Sequence, residues 1–169
     1  MPKTIRNKFD ENLSYINLYY AHMRAKRNKS NRKDVILFEM NLENNLINLR
    51  NKLKNETYEI GKYSSFKIYE PKEREIKSLP YVDRIVHQWY VGEFILPYIV
   101  PKFIANTYAC IRKRGTHKAV NKAQELLIKS SKEYVDGYIL KCDIKKFFEN
   151  IDKDILYDII KNKYLIKRY

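Results

Sequence analysis

The stretch LKCDIKKFFENIDKDIL, residues 140 to 156, holds the side chains best suited to chemistry. An apolar run ends on Asp143; two lysines, two phenylalanines and a further acid, Asp152, follow. A strand that finishes on aspartate presents a carboxylate at a sheet edge, where the core stops and a cleft can begin. Carboxylates are the usual protein ligands of Mg²⁺, which keeps several waters and takes one or two of them together with substrate phosphates. A pair of such ions stabilises both the attacking and the leaving oxygen of a phosphoryl transfer. A strand-terminal aspartate is also, commonly, a solvated end or a helix cap, so its neighbours must decide.

The elements that would position Asp143 can be read from periodicity. Apolar residues at 9, 13, 16, 20 and 23 predict a helix, and RAKRNKSNRK (24 to 33) a basic loop. Asp34 is placed to cap a second helix with apolar positions 35, 38, 42, 46, 49 and 53. The runs KYSSFKIYEP and EREIKSLPYV, joined by KERE, predict a hairpin. After Pro80 a helix sets Val82, Ile85, Val86 and Trp89 on one side, and Pro97 and Pro101 interrupt the chain. NTYACIRKRGTH reads as a basic loop ending on Thr116, a cap for a helix with Ala119, Val120, Ala123, Leu126 and Leu127 on one face. Gly137 opens a strand, Tyr138 to Asp143, and Asp152 caps a last helix with Leu156, Ile159 and Ile160. The order is that of an α+β fold.

Composition narrows the partners. The 169 residues include 34 Lys+Arg against 20 Asp+Glu, a formal charge of +14, which calls for an anionic partner, most simply nucleic acid. The 15 Tyr and 7 Phe supply rings for stacking on bases. FILPYIVP (94 to 101) is far short of the roughly 20 residues of a spanning helix, and the N-terminus lacks the apolar core of a secretory signal. Cys110 and Cys142 have no zinc or disulfide spacing, so a reduced, cytoplasmic setting is expected.

DIKKFF followed by ENID resembles the first palm motif of reverse transcriptases, especially the group II intron, retron and diversity-generating retroelement branches. Upstream, YEPKEREIKSLPYVDRIVHQ resembles that family's fingers hairpin and following helix, and FIANTYACIRKRGTHKAV the loop and helix before the palm strand. VILFEMNLENNLINLRNKLKNETYEIGKY resembles its N-terminal segment, so the likeness runs in order from about residue 35 to 165. It implies a helical N-terminal layer (1–60), fingers (61–136) and the start of a palm (137–169) of a right-hand polymerase fold. It also implies an RNA-directed DNA polymerase that uses Mg²⁺, dNTP, an RNA template and a DNA primer. The alternative is a non-catalytic RNA-binding module on the same scaffold.

Carried over residue by residue, the resemblance makes Asp143 the first catalytic aspartate and a ligand of both Mg²⁺ ions, assisted by the Ile144 carbonyl. Phe148 becomes the gate beneath the incoming sugar, against the ordinary reading of a core phenylalanine; one of Phe147 and Phe148 is expected in the core. Lys72 and Arg74, at the hairpin tip, would meet the triphosphate, where positioned cations stabilise transferring phosphoryl groups. Arg84 would contact template or hold the fingers by an ion pair. Arg112, Lys113 and Arg114 would meet backbone phosphate. Here the sequence departs from the family: Ile111 and Lys113 stand where relatives carry arginine and glycine, and Gly115 alone keeps the pattern. The family's Tyr-X-Asp-Asp hairpin does not occur in these residues, nor do the strands that flank the first palm strand. The expectation is therefore a truncated polymerase, inactive by itself, that self-associates through its unpaired palm strand.

Overall fold

The computed structural model describes residues 5–6, 8–133, 138–163 and 166–167. They include β1 (Ile5–Arg6), α1 (Lys8–Asn12), α2 (Tyr15–Lys26), α3 (Lys33–Glu39), α4 (Leu42–Lys54), β2 (Ser64–Ile68), β3 (Arg74–Ser78) and α5 (Tyr81–Tyr90). A π-helical turn (Val91–Ile95), α6 (Leu96–Ile99), a 3₁₀ turn (Val100–Lys102), α7 (Thr116–Glu133), α8 (Lys153–Lys163) and β4 (Ile166–Lys167) complete the order. The chain divides into two compact units, Met1–Pro97 with Lys161–Tyr169, and Tyr98–Ile160. In the first unit α5 packs extensively on α2 and so joins the residues after the hairpin to the N-terminal helices.

In the first unit the expected helix over 9 to 23 is two helices. The Ser14 hydroxyl accepts a hydrogen bond from the Asn17 N–H at 3.1 Å and starts α2 afresh. The break changes the phase: Leu18, Ala21, His22 and Ala25 are buried, whereas Ile16, Tyr20 and Met23 are exposed. The two alanines let α5 approach closely. The next expected helix is also divided. Val35, Phe38, Leu46 and Leu49 are buried as its spacing predicts, but the chain turns at Met40–Asn41 between α3 and α4. Asn45 Nδ2 donates to the Phe38 carbonyl at 2.9 Å across that turn.

On α5, Tyr81, Ile85 and Trp89 are buried, with Val82 and Val86 packed against the same core. The Trp89 indole N–H donates to the Asn12 carbonyl at 2.9 Å, tying α5 to the end of α1. The π-helical turn brings Phe94 into the core, edge-on to Trp89 with ring centroids 5.2 Å apart. Burial of each such side chain contributes roughly 1.5–3 kcal/mol. The hairpin forms as expected: β2 and β3 are antiparallel, Phe66 opposite Ile76 and Ile68 opposite Arg74. β1 and β4 make a two-residue parallel pair.

The second unit departs more from expectation. Tyr138 to Asp143 forms no strand, and Tyr138 is 94% exposed. A strand is held by a neighbour's N–H and C=O groups, and no described residue offers them to this segment. Gly137, its expected start, lies outside the described residues. Phe147 and Phe148 stack edge-to-face at 5.3 Å, and neither is buried. Helix α7 starts on Thr116 itself, and the apolar face it carries is exposed or half-exposed. Asp152 does cap α8: its Oδ1 accepts from the Asp154 and Ile155 N–H groups at 2.9 and 3.1 Å.

Candidate functional site

The second unit carries Asp143, Ile144 and Phe148. Asp143 is exposed, and its carboxylate has no protein partner among the described residues. The Ile144 side chain is exposed as well. The turn that follows is closed locally: Lys146 adopts φ 50°, and Asn150 Nδ2 donates to the Lys145 carbonyl at 3.0 Å. That turn leaves Phe147 and Phe148 at the surface, with Phe148 87% exposed. One free carboxylate and one carbonyl are hard oxygen donors of the kind Mg²⁺ takes. They fit part of its shell, the rest of which water and phosphate oxygens ordinarily supply.

The loop before α7 treats its three cations differently. Arg114 Nη1 donates to the carbonyls of Ile104, Ala105 and Thr107 at 3.3, 3.2 and 2.9 Å, so this guanidinium holds the loop's own backbone. Arg112 and Lys113 are exposed and have no acidic partner among the described residues. Lys113 lies in the left-handed region at φ 63°, a conformation that glycine adopts most readily. These two, not Arg114, are the loop's available charges.

In the first unit, Lys72 lies in the hairpin's turn and Arg74 opens β3; both are exposed and without a partner among the described residues. Two cations on a solvated turn are available to an anion. Arg84 is engaged. Its Nη2 donates to Asp34 Oδ2 at 2.9 Å, and the guanidinium carbon lies 5.9 Å from the centre of the Tyr81 ring. Of the two readings of Arg84, the fold realises the ion pair. Asp34 is drawn into that pair from the second position of α3 and does not cap it; Arg32 occupies the cap.

Two buried polar groups escaped the sequence reading. His22, fully buried on α2, has Nε2 3.2 Å from Glu39 Oε1 and Nδ1 2.8 Å from the Tyr81 hydroxyl. Glu39 also accepts from Lys26 Nζ at 2.6 Å. That bond, above all, holds the Glu39 carboxyl below its usual range. A carboxylate only accepts, so Nε2 carries the imidazole proton and Nδ1 accepts from Tyr81. Burial lowers the His22 pKa, and the bond to Glu39 opposes this only in part. Burial, with the charges of Glu39 and Asp34, pushes the Tyr81 hydroxyl up to about 12. The second group is Asp83, buried at the start of α5. It accepts from the Tyr58 hydroxyl and from the Gly61 N–H. Burial first, then that bond, raises the Tyr58 pKa. A polar residue at i+4 from a buried leucine, as His22 stands to Leu18, is the signal that could have exposed the first of these.

Comparison with family models gave no match, and comparison with curated proteins gave none either. No helix among the described residues is long and apolar enough to cross a membrane.

Proposed function

We propose that the chain is the fingers and opening palm of an RNA-directed DNA polymerase that binds template RNA and dNTP and extends a DNA primer. The observation that carries this reading is Asp143: a carboxylate without a protein partner, at the end of an apolar run, followed by two surface phenylalanines, in a chain of charge +14. The ordered likeness of residues 35 to 165 to reverse transcriptases supports it, as does a hairpin bearing Lys72 and Arg74 at its turn.

In this reading Asp143 and the Ile144 carbonyl would hold magnesium, which would supply charge neutralisation for phosphoryl transfer. Lys72 and Arg74 draw the triphosphate to the hairpin and hold it. Phe148 lies under the sugar and leaves no room for a 2′-hydroxyl. Arg112 and Lys113 hold the template backbone. Arg84 acts indirectly, by fixing α5 to α3.

In the full-length parent protein, Asp143→Asn should lower primer extension by 10³-fold or more while RNA affinity stays within about threefold, because the charge lost at 143 is the metal's ligand. A second reading, an RNA-binding module without catalysis, is favoured by the two unpaired loop cations; extension unchanged by Asp143→Asn would select it. The exposed segment from Tyr138 to Ile144 also supports self-association, which light scattering reads as a mass above 20.5 kDa.

A further inference from the structure

Helix α4 carries a feature that the polymerase reading leaves unused. Six of the chain's 15 asparagines fall between residues 41 and 55. Asparagine is a weak helix former whose side chain competes for backbone hydrogen bonds, so its concentration here works against the helix. Asn44, Asn48, Asn51 and Asn55 follow a 4-3-4 spacing, which lines them along one face. The side chains of Asn48, Asn51 and Asn55 are exposed and make no hydrogen bond among the described residues.

These three carboxamides border a groove of about 750 Å³. Buried Phe38 and Leu49 give it an apolar base, and Thr57, Tyr58, Glu59 and Gly61 line it as well. That segment has no regular secondary structure, and the N–H groups of Tyr58 and Glu59 donate to no described residue. Its end is pinned: Asp83 takes the Gly61 N–H, and a Cβ at Gly61 would come within 2.7 Å of Pro80 Cγ and 2.9 Å of Asp83 Oδ2. The groove is therefore edged by carboxamides and by unpaired peptide groups. Its charges nearly balance. Lys52 offsets Glu59, and Asp83 is already occupied by Tyr58 and Gly61. It lacks the cation excess that a phosphodiester chain needs, although the whole protein is strongly basic.

We propose that this groove binds an extended peptide segment of a partner protein by its main chain. The carboxamides of Asn48, Asn51 and Asn55 and the backbone of Tyr58 and Glu59 each offer a donor and an acceptor, matching the peptide group. Alternate side chains of the ligand rest on the apolar base. The proposal does not depend on the polymerase reading.

The test pans a random nonapeptide phage library on the full chain, then titrates the enriched peptides, synthesised with fluorescein, against wild type and the Asn48→Ala/Asn51→Ala double variant. The variant should bind at least tenfold more weakly yet melt at a higher temperature, since alanine favours the helix. N-methylation of alternate residues should weaken the peptide by a similar factor. Failure to enrich any peptide, affinities within twofold for the two proteins, or indifference to N-methylation each overturns the proposal. A labelled oligoadenylate 15-mer is titrated alongside. Its weakening by the double substitution, with the peptide unaffected, assigns the groove to nucleic acid and equally overturns it.

Discussion

At the scale of single residues, His22 determines how the first unit responds to acid. It is neutral in the fold, its pKa below the unfolded value because burial disfavours the cation. As pH falls below about 6.5, the unfolded chain takes up a proton that the folded one refuses, so stability is lost on acidification. The facing groups extend this behaviour. Glu39, held low chiefly by Lys26, adds stability above about 4.5 that disappears below it, and Tyr81 adds stability that is lost only as pH rises from about 10 towards 12. The unfolding free energy from urea titrations should therefore fall between pH 7 and 5 with a slope of up to about 1.4 kcal/mol per pH unit. His22→Asn should flatten that slope. The same slope in the variant would assign the acid sensitivity to carboxylates elsewhere.

At the scale of elements, local signals were legible where one residue acts on its neighbours, and illegible where packing or a partner strand decides. The hairpin and α5 could be read because Pro80 and the alternation of Phe66, Ile68 and Ile76 act within a few residues. The breaks at Ser14 and Asn41 were hidden, because apolar spacing continues across both while the backbone turns. Residues 138 to 143 have strand composition, but a strand requires hydrogen bonds from elsewhere. The expectation that Phe147 or Phe148 is buried failed for the same reason: their apolar character gives no core by itself. Of the site residues, Asp143, Lys72 and Arg74 have the exposure their expected roles require, whereas Arg84 and Arg114 are drawn into bonds with the protein's own groups. The Asp152 cap was legible because it acts within three residues, and it gives a sharp test. Residues 152 to 159 are all exposed, so α8 gains little from packing there. Asp152→Ala should weaken it by about 1 kcal/mol, moving the Cα chemical shifts of residues 153 to 161 towards coil values. Asp152→Asn, an equally good cap, should not.

At the scale of the whole molecule, net charge and available charge are different quantities. Of the 34 Lys and Arg, Lys26 is committed to Glu39, Arg24 to Glu93, and Arg84 to Asp34. Arg114 is committed to loop carbonyls. The cations left without partners among the described residues include Arg27, Lys29 and Arg32 on the loop between α2 and α3, Lys33 at the start of α3, Lys72 and Arg74 at the hairpin turn, and Arg112 and Lys113 before α7. If nucleic acid is the partner, these are the groups that release counterions. Each single-strand phosphate they neutralise adds about −0.7 to the slope of log affinity against log salt concentration. Engagement of about six phosphates therefore gives a slope near −4, measurable by fluorescence anisotropy with a labelled RNA between 50 and 200 mM KCl. Arg112→Ala/Lys113→Ala should reduce the slope by about 1.4, the share of two contacts. Arg84→Ala should leave the slope unchanged and instead lower the melting temperature, because it removes an ion pair that joins α3 to α5. A slope near zero, or one that Arg84→Ala alters as much as the loop pair does, would show that these cations do not seat a polyanion.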